Sequence, residues 1–146
     1  MGPDITTDAR ERARTLGARY RAVRARTAAL HAPLKTEDYV VQSMTDASPT
    51  RWHLAHTTWF FETFVLAKAL AHHQPYNPAF EYLFNSYYNA VGEQFPRPRR
   101  GLLSRPTVGE VVAYRRAVDK WMEDLLSSSA EDLIAPHLPV VALGLQ

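Results

Sequence analysis

Apolar side chains recur every three and four residues in four stretches of the chain, the spacing of helices that turn a face toward a core. The first stretch runs from about Thr7 or Asp8 to Leu30, with Ala13, Leu16, Tyr20, Val23, Thr27 and Leu30 as its stripe. Its other faces carry Arg10, Arg12, Arg14, Arg19, Arg21, Arg24 and Arg26. A connector over residues 33–47 follows, with a turn of helix expected after Thr36. The second helix opens at Ser48-Pro49, where a serine suits the N-cap and a proline costs nothing at the first helical position. It is expected to stop before Pro75. Trp52, His56, Trp59, Phe60, Thr63, Ala67 and Leu70 gather on one side of it, and Leu54, Phe61 and Val65 on the other. Such a helix is apolar nearly all round and belongs inside a helical assembly.

Residues 74–106 are rich in proline, aromatics and arginine and show no sustained period, with a short helix expected within 79–88. Irregular segments of this length in compact domains tend to be functional. The third helix opens on Thr107-Val108-Gly109-Glu110, a capping box in which the two side chains satisfy each other's backbone donors. Val111, Tyr114, Val118, Trp121, Met122 and Leu125 form its apolar face, and Ser127-Ser128-Ser129 ends it. A fourth apolar run starts at Leu138 or Pro139 and reaches Gln146 without cap or polar tail, so the expectation is a helix cut off partway. The pattern predicts an all-α domain over 1–146, incomplete at its C-terminus.

Composition narrows the classes. With 46% hydrophobic and 22% charged residues, 146 residues suffice for one globular core. No apolar run approaches the roughly 18 residues of a membrane span, and the N-terminus carries no apolar signal segment. Cysteine is absent, which excludes disulfides and thiolate ligands and leaves a cytoplasmic location as the default. A net charge of +2 is small. The arginines of the first helix are spread around it rather than aligned, so a solvated surface is expected and no nucleic-acid partner.

Six histidines remain to be weighed. His56 sits at the centre of the buried face of the second helix, where an unpaired imidazole would cost about 1–3 kcal/mol. A hydrogen-bonded core histidine and a metal ligand both satisfy that demand. His53 lies about 60° around and is expected on the flank, bonded to backbone, with orientation of a metal ligand as its other role. His31, His72, His73 and His137 adjoin helix ends or prolines and are expected at the surface. Trp52, Trp59, Phe60 and Phe61 are assigned to core packing.

Three stretches carry a family resemblance. They are Trp52-His53-Leu54-Ala55-His56-Thr57-Thr58-Trp59-Phe60-Phe61-Glu62, Phe84-Asn85-Ser86-Tyr87-Tyr88-Asn89-Ala90-Val91-Gly92, and the arginine-rich run from Pro96 to Val108. Together they resemble the ergothioneine-pathway sulfoxide synthases, whose N-terminal domain is a DinB-like four-helix bundle; the likeness spans roughly Arg19 to Gln146. Those enzymes use Fe(II) and O₂ to join a thiol, cysteine or γ-glutamylcysteine, to hercynine. By that resemblance His56 is one of three iron-binding histidines. The other two come from a His-x-x-x-His pair on the fourth helix, which this sequence lacks. Arg97 and Arg100 then grip the donor's carboxylates, as planar guanidinium forks can, the alternative being a solvated basic loop. Tyr87 or Tyr88 lines the iron site as a proton donor, the alternative being an aromatic packing pair. The implied partners are hercynine, the thiol donor, O₂ and the missing C-terminal part of the same enzyme, and the fragment alone is expected to be inactive. Two rival classes are a stand-alone DinB-type metal-dependent thiol transferase and a non-enzymatic helical binding module.

Overall fold

The protein is described here by a computed structural model covering residues 5–146, with side chains from Asp8 onward. The first four residues of the expected 1–146 domain lie outside the described residues. The chain is mainly helical, and no strand forms among the described residues. No helix among them is long and apolar enough to cross a membrane. The chain divides into two compact units, one of residues up to Pro33 with Phe61–Gln74 and Asp119–Gln146, the other of Leu34–Phe60 and Pro75–Val118.

In the first unit α1 (Ile5–His31) buries Ala13 and Tyr20 at the seven-residue spacing expected of its stripe. Leu30, expected to continue that stripe, is instead 72% exposed. Arg24 departs the other way. Expected on the solvated side, it is buried with its Nε 2.8 Å from Asp119 Oδ1. The Tyr20 hydroxyl donates to the same oxygen at 2.6 Å, and the Tyr20 ring meets Phe61 edge-on at 5.0 Å. Burial is the main reason that the Tyr20 phenol is pushed upward from its ordinary value. The half-buried Asp119 carboxylate thus has a charged and a neutral donor, which is what makes the burial of Arg24 tolerable.

The second predicted helix is interrupted. It begins as α2 (Thr50–Phe61), widens into a π-helical turn over Glu62–Leu66, and closes as the single turn α3 (Ala67–Ala69). Glu62 is buried in the π turn, and its carboxylate meets His73 Nε2 at 3.0 Å. His73 is therefore not the surface residue expected from its position after the helix. Its side chain is 8% exposed, with its ring edge-on to Trp121 at 5.3 Å. After α5 (Val108–Leu126), the short α6 (Glu131–Ile134) and α7 (Leu138–Gly144) complete this unit. Leu138, Val141 and Leu145 are buried at helical spacing, so the fourth apolar run does form a helix from Leu138.

The second unit holds most of α2, a 3₁₀ turn over Thr36–Val40, the short α4 (Phe80–Phe84), a 3₁₀ turn over Arg97–Leu102 and the first part of α5 (Val108–Leu126). The capping box that starts α5 is formed as expected. Thr107 Oγ1 accepts from the Glu110 amide at 3.2 Å, and Glu110 accepts from the Thr107 amide at 2.6 Å. Arg115, buried on α5, ties it to α2 by donating to the Leu54 carbonyl at 3.3 Å and to Thr57 Oγ1 at 3.0 Å. Phe80 packs against Tyr114 and Phe84, with ring centroids 4.9 and 5.1 Å away, which fixes α4 on the body of the unit.

Candidate functional site

All five residues singled out from the sequence, His56, Tyr87, Tyr88, Arg97 and Arg100, fall in the second unit. His56 is half-buried on α2, its ring between two indoles. Trp52 stacks on it at 4.7 Å and 11°, and Trp59 lies at 5.9 Å and 23° on the same helix. Spacings of four and three residues put these three rings on one face. His56 Nδ1 is 2.7 Å from the backbone oxygen of Phe84. A carbonyl can only accept, so the proton sits on Nδ1 and the lone pair on Nε2. Among the described residues, the hydrogen bond of His56 is made through Nδ1, not Nε2. Desolvation is the chief cause that holds the imidazole below its ordinary value, with the charges of His53 and Arg100 adding to it and the Phe84 bond opposing. A neutral ring with one nitrogen bonded to backbone and the other bare is the form in which histidine binds a metal.

The rest of a metal centre is missing. No group of three His, Asp or Glu side chains among the described residues is arranged to hold a metal ion. One imidazole does not make a resident iron site, so the donor set present fits a single ligand position and no more.

The arginine turn stands beside this helix. In a 3₁₀ turn residues three apart eclipse each other, so the Arg97-x-x-Arg100 spacing places both side chains on one side of the turn. Gln42 brackets it, accepting from the Gly101 amide at 2.7 Å and donating to the Arg97 carbonyl at 2.7 Å. Gly101 is required for that approach, because a Cβ there would lie 2.7 Å from the Gln42 Cβ. Arg100 is buried, its guanidinium carbon 3.6 Å from the centre of the Trp52 ring and its Nη1 2.9 Å from Ser48 Oγ. Ser48, expected as a helix cap, thus has its hydroxyl engaged by Arg100. Burial, then the like charge of Arg97, brings the Arg100 guanidinium down to about 10. Arg97 lies over the Tyr87 ring at 4.9 Å and donates to its hydroxyl. Neither arginine forms an ion pair among the described residues. Their charge reaches His53, which is open to solvent with its ring edge on Trp52. Partial desolvation first, then Arg100, hold His53 below its ordinary value.

The tyrosine pair is split between these neighbours. Tyr87, 73% exposed and in the left-handed backbone region at φ 64°, faces Arg97. Tyr88 packs on Trp59 and Phe60, at 5.9 and 6.3 Å, on the histidine side. Asn85, fully buried, holds the turn between them by donating to the Tyr88 and Gly92 carbonyls at 3.1 and 3.2 Å. Sequence reasoning missed Gln42, Asn85 and the Phe84 carbonyl, and it left Trp52 as packing alone. Gly101 after two arginines was the one available signal, marking a close approach of chain to chain.

A mostly helical domain thus sets one half-buried imidazole beside an arginine turn that has no acid partner among the described residues. The chain belongs to the DinB superfamily, whose family model matches residues 19–140. No curated protein matches it.

Proposed function

We propose that this chain is the DinB-like four-helix part of an Fe(II)- and O₂-dependent sulfoxide synthase that joins a thiol to hercynine, as the motif resemblance implies. The observation that carries the reading is the tautomer of His56: Nδ1 is committed to Phe84, which leaves Nε2 as a donor for a metal. The arginine turn supports it from the other side, since two cations without acid partners suit a substrate carboxylate. The overall reaction balances with O₂ as the sole oxidant. The thiol S–H and the imidazole C–H are lost, a C–S bond forms, one oxygen atom ends on the sulfur as the sulfoxide and the other leaves as water.

Iron would supply the activation of O₂ when bound, and the further imidazole donors that the resemblance implies are not grouped with His56 among the described residues. This chain's own share is to present His56 in the right tautomer, to bind the donor's carboxylate through the arginine turn, and to place a phenol nearby. Tyr88, packed on Trp59, is the phenol on the histidine side. The 146 residues alone bind metal weakly and turn over no substrate.

Titration of Co(II) into the chain, followed by side-chain NMR of all six histidines, tests this. Broadening is expected first at His56 Nε2, and His56→Ala should weaken the tightest site at least tenfold. Co(II) settling on other histidines while His56 stays untouched would overturn the assignment, whereas sulfoxide formation by the 146-residue chain alone would overturn only its expected inactivity.

A further inference from the structure

We infer that the cavity between α4 and the start of α5 is a second small-molecule site, and that it takes a zwitterionic amino acid with an aromatic side chain. Neither His56 nor any arginine of the 97–102 turn lines this cavity, so the inference stands apart from the proposed function.

The cavity measures about 350 Å³, at the small end of the roughly 300–1,000 Å³ of ligand pockets, which suits one amino acid rather than a larger cofactor. Its wall is aromatic and fixed in place. Tyr76 is 43% exposed, yet its ring lies 6.2 Å from Phe80 at 24° and 5.0 Å from the buried Tyr114. Phe80 is itself buried against Tyr114 and Phe84. An accessible ring is therefore backed by closed core. Leu83 of α4 adds an aliphatic surface to the same cavity. A planar side chain entering there meets rings already oriented for stacked or edge-on contact.

Two opposite charges line the cavity as well, Arg105 and Glu110, both exposed. Arg105 forms no ion pair among the described residues. Its Nη1 donates to the adjoining Ser104 carbonyl at 3.0 Å, and the guanidinium has further N–H groups for a carboxylate. The bonds from Thr107 first, and the charge of Arg105 after them, hold the Glu110 carboxyl below its ordinary value. It is therefore ionised, and the two charges are near enough to act on each other. The capping box engages Oε2 of Glu110, while Oε1 lies outside it. A ligand with a single charge meets one partner here and one like charge. A zwitterion meets two partners, its carboxylate on Arg105 and its ammonium on Glu110, with its side chain left for the aromatic wall.

The test titrates the 146-residue chain with L-phenylalanine, 3-phenylpropionate, which lacks the amine, and 2-phenylethylamine, which lacks the carboxylate. Binding is read from the Phe80 ring and Leu83 methyl signals in NMR. L-Phenylalanine should bind at least about threefold more tightly than either analogue, the size of an exposed charge pair. Arg105→Gln should erase its advantage over 2-phenylethylamine. Glu110→Gln, whose amide oxygen can still close the capping box, should erase its advantage over 3-phenylpropionate. No movement of the Phe80 and Leu83 signals up to about 10 mM L-phenylalanine overturns the site. Equal affinity for L-phenylalanine and either analogue in the wild type overturns the zwitterionic class, and so does an advantage that survives both substitutions.

Discussion

Replacing His56 with phenylalanine removes the nitrogen that donates to the Phe84 carbonyl, yet keeps a flat ring between Trp52 and Trp59. The lost hydrogen bond is worth about 1 kcal/mol net, rising toward 2 kcal/mol where the abandoned carbonyl stays away from water. His56→Ala loses the ring contacts too, adding about 0.5–1.5 kcal/mol. The expected order in urea unfolding is wild type, then His56→Phe lower by about 1–2 kcal/mol, then His56→Ala lower by about 2–3 kcal/mol. Acid should change the gap in a set direction. The folded value of His56 lies below its ordinary 6.5, chiefly through desolvation. The unfolded chain therefore binds the proton first as pH falls, and stability rises with pH wherever that holds. The contribution of His56 is present above 6.5 and is lost as pH drops through the lower folded value. His56→Phe has no such loss, so the difference between the two proteins should narrow below pH 6.5. Equal stability of wild type and His56→Phe at every pH would mean that no proton is held between Nδ1 and Phe84. The bare Nε2, and the metal-ligand role with it, would then have no support.

Two further outcomes test the frame around the site. Gly101→Ala places a Cβ 2.7 Å from the Gln42 Cβ, so the arginine turn must move; overpacking of this kind costs about 1–3 kcal/mol, to be read as a lowered thermal midpoint. In the first unit, Asp119→Ala strands the buried Arg24 and should cost about 3–5 kcal/mol in urea unfolding, while Tyr20→Phe costs only about 1–2 kcal/mol. Equal effects of those two variants would show that Arg24 is not held by the carboxylate.

What could be foreseen from the chain was what local pattern encodes. The Thr107–Glu110 box needs only residues three apart, and both of its bonds are formed. The helix from Leu138 and the turn after Thr36 follow equally from short-range spacing. Contacts across long separations left no such trace. Arg24 meets its carboxylate 95 residues away, and Gln42 reaches the arginine turn 55 and 59 residues on. An arginine among seven on one helix gives no sign that it alone turns inward. The π turn was equally silent, because Glu62-Thr63-Phe64-Val65-Leu66 has the composition of ordinary helix. Resemblance added residue identities, and periodicity placed His56 on an inner face. Neither could say which ring nitrogen would be free, since the partner that decides this is a backbone oxygen.

That oxygen explains why so short a helix as α4 stands where it does. The last carbonyls of any helix lack intrahelical partners and carry its negative end. In α4 the two consecutive carbonyls of Leu83 and Phe84 are taken by Trp52 Nε1 and His56 Nδ1, at 2.8 and 2.7 Å. Two N–H groups one turn apart on α2 thus satisfy two orphan acceptors on one short helix, and neither ring can rotate without exposing one of them. The next residue, Asn85, turns the chain and fixes Tyr88, whose ring returns to Trp59. Residues 83–88 therefore set the tautomer of the imidazole, the plane of the indole that Arg100 covers and the position of one phenol. The chemistry of His56 is determined as much by this segment, which carries no metal ligand, as by the helix on which the histidine lies.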